Sequence, residues 1–321
     1  MASTTDFDEA KDYLENPVQG AVFVIFGVSG LIGTELAKTL HKNNEYTIGI
    51  TRNINKTKKK LPFLDELLDT AYIKSNTFNT NTNNFIFINL SAEPLIGLWT
   101  KTKSRRVLES RLDGINKSIS LIKKYNLNNS TILCASGIGI YGNNFTESQS
   151  EDSKTSDDTF VSQMSKKIEQ KLNSSEISKN INMRFGIVLS KNGGSLKYLN
   201  LIYNMGIGGP IGKGNQWWSW IHIDDVINSI LHIVQNNLEG PINITSPNPE
   251  KQKDFSKILA KNLHRPSLMY TPAFVLKIIL GNFATELLDS KKIVPKKLID
   301  SNFKFKFDFL KDALNNIYNE K

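Results

Sequence analysis

The stretch AVFVIFGVSGLIG, residues Ala21–Gly33, is the clearest indicator of the fold in this sequence. Its first six residues, Ala21–Phe26, are all apolar, as a parallel strand buried on both faces of its sheet requires. Glycines then recur at every third position from Gly27 to Gly33, and Leu31–His41 reads as a helix. A buried strand, a glycine-rich turn and a helix in that order are typical of the first unit of a dinucleotide-binding sheet.

Strands and helices continue to alternate along the chain. Further strands are predicted at Tyr46–Ile50, Phe85–Leu90, Thr131–Ala135 and Ile181–Leu189. Apolar residues at steps of four and three predict a helix through Leu108, Leu112, Ile115, Ile119 and Ile122. This alternation predicts an α/β fold with a Rossmann-type, doubly wound parallel sheet. After Ser190 glycines become frequent and the strand–helix alternation ends, which predicts a smaller C-terminal domain.

The glycine turn suits the diphosphate of a dinucleotide. Glycine allows the tight turn and the close approach of backbone to phosphate, and the start of the next helix offers free N–H groups and a partial positive charge. We therefore predict a cofactor cradle, with a simple structural turn as the alternative. Its residues are Gly27, Ser29, Gly30, Leu31, Ile32 and Gly33.

Arg52 indicates which nicotinamide cofactor the cradle would take. An NAD enzyme has an acidic residue at the end of its second strand, where it binds the ribose 2′-hydroxyl. This chain has Thr51 and Arg52 there, with no carboxylate before Asp65. A guanidinium binds a 2′-phosphate through charge-assisted hydrogen bonds, whereas a carboxylate repels it. We expect NADP(H), with a solvated surface arginine as the alternative.

Residues at the ends of the other strands complete the predicted crevice. The further cofactor contacts are Leu90, Ser91, Ala92, Glu93, Arg111, Ser136, Gly186 and Val188. Residues after Phe85–Leu90 should line the adenosine side, and Gly186–Val188 should approach the nicotinamide. Arg111 is a candidate for an anionic group of the ligand, and a surface salt bridge explains it nearly as well.

Composition argues against several other classes. The net charge is +9, but the basic runs Lys56–Lys60 and Lys291–Lys297 carry no interleaved aromatics, so a nucleic-acid partner is not expected. No apolar run approaches the roughly 20 residues that span a bilayer, and the N-terminus lacks the order of a signal peptide. Four histidines and one cysteine, Cys134, offer no zinc spacing and no internal disulfide. We expect a cytoplasmic protein with no metal and no membrane partner.

Motifs in both halves resemble one protein family. They are GVSGLIG (Gly27–Gly33), SGIGIYG (Ser136–Gly142) and, most distinctive, GIGGPIGKGNQWWSWIHIDD (Gly206–Asp225). They are similar to the atypical extended short-chain dehydrogenase/reductase group, which contains NAD(P)-binding, epimerase-like proteins of unassigned substrate. The resemblance implies a Rossmann domain, a small C-terminal domain and a substrate cleft between them. Some photosynthetic relatives are associated with cell or plastid division, so it also allows a non-enzymatic role.

The expected domain boundaries follow from this resemblance and from the texture of the chain. Residues 1–20 form an N-terminal extension. Residues 21–190 form the NADP-binding Rossmann domain, to which the chain returns around 221–245. Residues 191–220 and 246–321 form the small C-terminal domain.

The resemblance also implies a catalytic Ser or Thr with Tyr-x-x-x-Lys on one helix, and that tyrosine–lysine pair is absent. None of the nine tyrosines has a lysine four positions later. Ser136 and Tyr141 remain catalytic candidates, with cofactor positioning or ordinary packing as the alternative. The predicted substrate contacts are Gln216, Trp217, Trp220 and His222. His222 could also donate a proton, although a structural role is favoured.

Two functions therefore stay open. The first is an NADP(H)-dependent oxidoreductase or epimerase-like enzyme that acts on a small carbonyl or sugar-like substrate. The second is a catalytically silent NADP(H)-binding regulatory protein that acts through a protein partner.

Overall fold

A computed structural model describes residues 20–69 and 84–319, apart from residues 96, 98, 128, 178 and 282. Residues 1–19 of the predicted N-terminal extension lie outside the described part of the chain. The described strands are β1 (Ala21–Phe26), β2 (Tyr46–Thr51), β3 (Glu66–Asp69), β4 (Asn84–Asn89), β5 (Thr131–Gly137), β6 (Lys179–Phe185), β7 (Ile187–Ser190), β8 (Gly193–Gly194), β9 (Trp217–Trp218), β10 (Trp220–His222), β11 (Gly240–Ile244) and β12 (Glu250–Lys251).

The described α-helices vary from one turn to more than six. They are α1 (Leu31–Lys42), α2 (Ile54–Lys60), α3 (Lys101–Lys124), α4 (Phe160–Asn173), α5 (Ser195–Asn204), α6 (Ile223–Gln235), α7 (Gln252–Leu263), α8 (Ala273–Leu280), α9 (Ala284–Leu288), α10 (Lys296–Asp300) and α11 (Leu310–Asn319). None of these described helices is both long enough and apolar enough to cross a membrane.

Seven parallel strands form the central sheet in the order β11-β6-β5-β4-β1-β2-β3. The chain runs outward from β1 through β2 to β3 and then returns to β4 on the other side of β1. The predicted Rossmann-type, doubly wound sheet is thus confirmed. Its topological switch point lies between β1 and β4, where ligands bind at the carboxyl ends of the strands.

Helices cover both faces of this sheet. Alternate residues of β1 enter different cores, since Phe23 packs with α1 and α6 whereas Val24 packs with α3 and α4. Burial of both faces is the physical reason that β1 is apolar at every position. A third core joins α5, α7 and α11 around Trp220 and forms the C-terminal part of the molecule.

The prediction of one continuous strand over Ile181–Leu189 is wrong, because these residues form two strands in two different sheets. β6 ends at Phe185 in the central sheet, and β7 pairs with β10 and β8 in a second sheet. The Gly186 amide donates to Ile244 O (3.1 Å), and the next amide, of Ile187, donates to Ser219 O (2.9 Å). The apolar pattern runs through this break, so the sequence alone hides it.

Candidate functional site

The cradle lies at the switch point and has no room for a side chain at Gly27 or Gly33. Gly27 has φ of +79° and follows β1 directly, and a Cβ there would lie 2.8 Å from Ser91 N at the end of β4. A Cβ on Gly33 would lie 2.4 Å from Gly27 O and 2.8 Å from Val28 Cα. The turn is closed by the Gly30 amide, which donates to Gly27 O at 2.9 Å. Glycine is therefore required at Gly27 and Gly33 for steric reasons.

The first turn of α1 presents its amides to this turn without a cap. Gly30 occupies the N-cap position, no side chain accepts a hydrogen bond there, and the first turn holds no acidic residue. Ser29 and Gly30 are exposed, while Leu31 and Ile32 are half-buried. A 12-residue helix whose N-terminal amides have no side-chain cap suits a bound diphosphate. The residues present fit the predicted cofactor.

Two cations stand beside the cradle. Arg52 is exposed after β2 and makes no ion pair with any residue that the structure describes. Lys60, at the end of α2, donates from Nζ to Ser29 O and to Thr34 Oγ1, both at 2.9 Å. The Asp65 carboxylate accepts the Thr47 amide (2.7 Å) near the start of β2, away from the crevice end. The structure thus adds Lys60, which the sequence showed only as part of a basic run.

The loop after β4 is held by its own polar contacts. Asn89 Oδ1 accepts the amide and the hydroxyl of Ser91, at 3.2 and 2.8 Å. The Glu93 carboxylate pairs with Lys103 and Arg106, each at 3.1 Å. Leu90, Ser91 and Ala92 therefore form a fixed edge of the crevice opposite Gly27, and their contact with a cofactor stays a prediction.

Arg111 forms no ion pair with any residue that the structure describes, in contrast to the alternative of a surface salt bridge. Its Nη1 donates to two backbone carbonyls, Val107 O at 2.9 Å and Glu93 O at 3.3 Å. Burial lowers the pKa of Arg111 to about 10. The guanidinium braces the loop after β4 against α3, and the salt-bridge interpretation is wrong.

The two catalytic candidates belong to a buried polar network. Ser136, Arg184 and Asn243 lie in register on the adjacent strands β5, β6 and β11. Glu169 of α4 accepts Ser136 Oγ (2.9 Å) and, at both of its oxygens, Arg184 (2.8 and 2.7 Å). Tyr141 OH accepts Arg184 Nη1 and donates to Asn243 Oδ1, each at 2.7 Å.

This network engages the hydroxyl group of Tyr141. Its side chain is 3% exposed, its hydroxyl already has a donor and an acceptor, and burial raises its pKa to about 12. The Ser136 hydroxyl is likewise directed to Glu169. The alternative of packing and positioning fits this geometry, and a catalytic role of Ser136 or Tyr141 stays a prediction.

A second charged cluster reaches the end of β5 from the C-terminal part of the chain. The Glu286 carboxylate oxygens lie 3.2 and 3.5 Å from the Cβ position of Gly139, two residues beyond β5. Lys291 Nζ lies 3.2 Å from Glu286 Oε2 and 3.6 Å from Asp289 Oδ2. Glu286 Oε1 is buried and has no hydrogen-bond partner among the described residues. The pKa of Asp289 is raised, mainly because the carboxyl group is buried and also because of the charge of Glu286. The positive charge of Lys291 opposes this rise.

Three of the four predicted substrate contacts are packing residues. Gln216 is buried, and its Nε2 donates to Ile211 O and Leu287 O, both at 3.1 Å. Trp220 is fully buried, and its Nε1 donates to Asn248 O. These side chains hold the C-terminal part of the molecule together, and their assignment to substrate contact stays a prediction.

His222 is likewise structural. It is buried against Phe307, and its Nδ1 accepts the Asp224 amide (3.1 Å) at the start of α6. Burial lowers the pKa of His222 to about 4, so the ring is neutral at neutral pH. Trp217 is the exception among the four, because it is half-buried, with Lys251 and Lys292 over its ring at 5.4 and 4.8 Å.

Comparisons with known proteins agree with this architecture. The chain matches the NAD dependent epimerase/dehydratase family over residues 23–245 and a domain of unknown function over residues 271–317. The epimerase family protein YfhF of Bacillus subtilis is 31% identical over 295 residues, covering 91% of this chain and 96% of that protein. The chain belongs to the NAD-dependent epimerase/dehydratase family. Membership confirms the resemblance to epimerase-like short-chain dehydrogenases/reductases and supports a nicotinamide dinucleotide as the class of cofactor.

Solved structures support the fold of this family member. Human epimerase family protein SDR39U1, solved with NADPH, has a TM-score of 0.83 at 24% identity and covers 94% of this chain and 100% of that one. The UDP-glucuronic acid 4-epimerase of Bacillus cereus, solved with UDP-glucuronic acid and NAD, has a TM-score of 0.71 at 14% identity, covering 93% and 98%. At these identities the likeness concerns the fold alone.

Sequence reasoning missed several groups of this epimerase/dehydratase site. Lys60 lies in a basic run that had no assigned role, and Lys291 lies in another. Glu169 and Arg184 sit 15 residues apart on different elements, so no local motif joins them. Only the fold brings Glu286 beside Gly139.

Proposed function

We propose that the cradle binds NADP(H) in preference to NAD(H). The observation that carries the proposal is the exposed Arg52 after β2, which has no ion pair among the described residues, together with the uncapped N-terminus of α1 and Lys60, whose Nζ contacts Ser29 O. A 2′-phosphate on the adenosine ribose would meet the positive charge of Arg52 at the end of β2, where an NAD enzyme has an acidic residue.

Thermal unfolding with NADPH and with NADH tests the preference. A ligand that binds only the folded state raises its stability, so NADPH should raise the melting temperature more than NADH. Arg52→Asp should reverse that order, because a carboxylate repels the phosphate and accepts the ribose hydroxyl. Arg105→Asp is the matched control, since Arg105 is an exposed arginine of α3 paired with Glu109. An unchanged order in Arg52→Asp would show that Arg52 does not read the phosphate.

We further propose an oxidoreductase or epimerase-like enzyme whose proton-carrying group is Glu286. A bound reduced nicotinamide supplies a hydride to a carbonyl carbon, and the carbonyl oxygen must then receive a proton. Glu286 supports this role because its Oε1 has no hydrogen-bond partner among the described residues and its carboxylate lies against Gly139, two residues beyond β5. Lys291 would position the carboxyl group, and Asp289, in its protonated carboxylic acid form, would return the proton that Glu286 gives up. The substrate class is a small carbonyl or sugar-like molecule.

Single-turnover oxidation of NADPH, followed by its absorbance, tests the enzyme against carbonyl compounds and sugar nucleotides. Glu286→Gln should slow turnover by roughly 10²–10⁴-fold, the usual contribution of a positioned acid or base, while NADPH binding is kept. Glu176→Gln serves as the control, because Glu176 is highly exposed and, among the described residues, forms an ion pair only with Lys123, at 2.7 Å. Full activity in Glu286→Gln would remove Glu286 from the mechanism.

The absence of Tyr-x-x-x-Lys and the engagement of Tyr141 favour a second function, a catalytically silent NADP(H)-binding protein that signals through a protein partner. Silence of the wild-type protein against the whole substrate panel would support it. A pull-down in which NADPH changes no partner would count against it.

A further inference from the structure

The C-terminal module, by which we mean the part of the molecule built around the third core, has many exposed apolar side chains that lie outside the cofactor site. Of the fourteen large apolar side chains that stand exposed in the described residues, ten lie in residues 198–207 and 268–278. They are Tyr198, Leu201, Ile202, Met205, Ile207, Leu268, Met269, Tyr270, Phe274 and Ile278, with exposures from 38% to 85%. We call these ten residues the apolar surface. Exposed apolar area of this extent is unusual on a protein that has no partner there.

The two segments are held side by side. The Thr271 amide donates to Pro210 O (3.0 Å), and the Gly212 amide donates to Thr271 O (2.9 Å). Inner residues of α5, among them Leu196 and Tyr203, are buried in the third core. The loop that follows α5 therefore lies beside the loop that precedes α8.

Only positive charge accompanies the apolar surface along these segments. Residues 191–213 and 264–281 contain Lys191, Lys197, Lys213, Arg265 and Lys277, all exposed, and no Asp or Glu. A two-fold contact between copies of the chain would place the same patch against itself, and lysine would face lysine with no carboxylate from these segments to compensate. The charge pattern thus favours an anionic partner over a second copy.

The shape of the patch favours a lipid surface over an acidic protein. Leu268, Ile278 and Phe274 are its most exposed members, at 85%, 74% and 65%, so they project as separate side chains from a loop and a helix. A fluid bilayer accommodates projecting side chains, whereas a protein interface needs a complementary contour. Tyr198 and Tyr270 add the amphipathic aromatic rings that suit the headgroup region.

We infer that the apolar surface and its lysines dock this protein on an anionic lipid surface. The docking is peripheral, because apolar side chains enter the headgroup boundary while Lys197, Lys277 and Arg265 meet lipid phosphates. This departs from the expectation of no membrane partner, which rested on the lack of a spanning run and did not consider surface binding. The inference is independent of the cofactor, so its test omits NADPH.

Co-sedimentation of the full chain with vesicles tests it. Binding should be strong to vesicles of equal parts phosphatidylcholine and phosphatidylglycerol, weak to pure phosphatidylcholine, and weaker as salt is added. The double variants Leu201→Ser with Met205→Ser and Phe274→Ser with Ile278→Ser should each bind about tenfold more weakly. Because these side chains are exposed, the variants should fold, and unchanged thermal unfolding verifies this.

The matched control is Phe145→Ser with Phe309→Ser, which removes two equally exposed aromatics outside the apolar surface. It should bind vesicles like the wild type. The inference is overturned if the wild type does not sediment with the anionic vesicles, or if the control loses as much binding as the surface variants. It is also overturned if sedimentation velocity shows a dimer that Leu201→Ser with Met205→Ser dissociates.

Discussion

A methyl group added at Gly33 tests the cradle at its tightest point. In Gly33→Ala the new Cβ would lie 2.4 Å from Gly27 O, whereas ordinary contact begins at 3.4 Å, so the two atoms must separate by 1.0 Å (3.4 minus 2.4). That oxygen accepts the Gly30 amide and closes the turn, so the turn itself must open. A shift of about 1 Å also lengthens an amide–phosphate hydrogen bond beyond its useful range.

The magnitude of the effect differs between folding and cofactor binding. Overpacking destabilises the folded state by about 1–3 kcal/mol, whereas replacing glycine by alanine within a helix stabilises it by roughly 1 kcal/mol. The free energy of unfolding should therefore fall by no more than ~2 kcal/mol. Loss of one or two hydrogen bonds to a charged phosphate weakens cofactor binding by about 3 kcal/mol, or roughly 100-fold.

Fluorescence titration with NADPH and urea unfolding without it measure the two effects separately. Gly137→Ala is the control, since its Cβ would have no neighbour nearer than 4.0 Å at the end of β5. We expect the control to unfold like the wild type. Tight NADPH binding by a folded Gly33→Ala protein would refute the assignment of the diphosphate to this turn.

Three further predictions concern buried groups. Arg184→Met should lower the free energy of unfolding by about 3–5 kcal/mol, because it leaves Glu169 as an unpaired buried charge. Tyr141→Phe removes one hydrogen-bonding hydroxyl and should lower it by only about 1–2 kcal/mol. Equal losses for the two variants in urea unfolding would contradict the network. His222 has a folded pKa of about 4, below the ordinary 6.5, so the unfolded chain takes up its proton first and stability falls as the pH drops from about 6.5 to 4. His222→Asn keeps an acceptor for the Asp224 amide and should reduce this fall in the free energy of unfolding by about 2–3 kcal/mol. If the pH dependence is unchanged in this variant, another group causes it. Cys134 is buried, which raises its pKa to about 12, so iodoacetamide should label it only in unfolded protein, and rapid labelling of the native chain would contradict that burial.

Much of the central sheet could be predicted because its signals are local. β1, β4 and β5 are short apolar runs, and each reads as a strand without knowledge of its neighbours. β3 was missed because Glu66–Asp69 is a four-residue edge strand with charged residues at both ends. An edge strand needs no continuous apolar run, so its sequence resembles a loop.

The cofactor cradle could also be predicted, whereas the chemistry beside it could not. Glycine spacing records a steric demand at each position, as the contact of Gly33 with Gly27 shows. Hydrogen bonds in the Ser136 network instead join residues up to 102 positions apart, as between Tyr141 and Asn243. Their partners, and hence whether a hydroxyl is free to react, are set by strand order and register.

Isothermal titration of the wild-type protein with NADPH and with NADH measures whether the start of α1 and Arg52 bind the cofactor as proposed. Backbone amides at the start of α1 should bind the diphosphate of either compound, and Arg52 should add affinity only for the one with a 2′-phosphate. We expect NADPH to bind at least about tenfold more tightly than NADH, as one charge-assisted contact provides. Failure of both compounds to bind, or equal affinity for the two, would contradict the account.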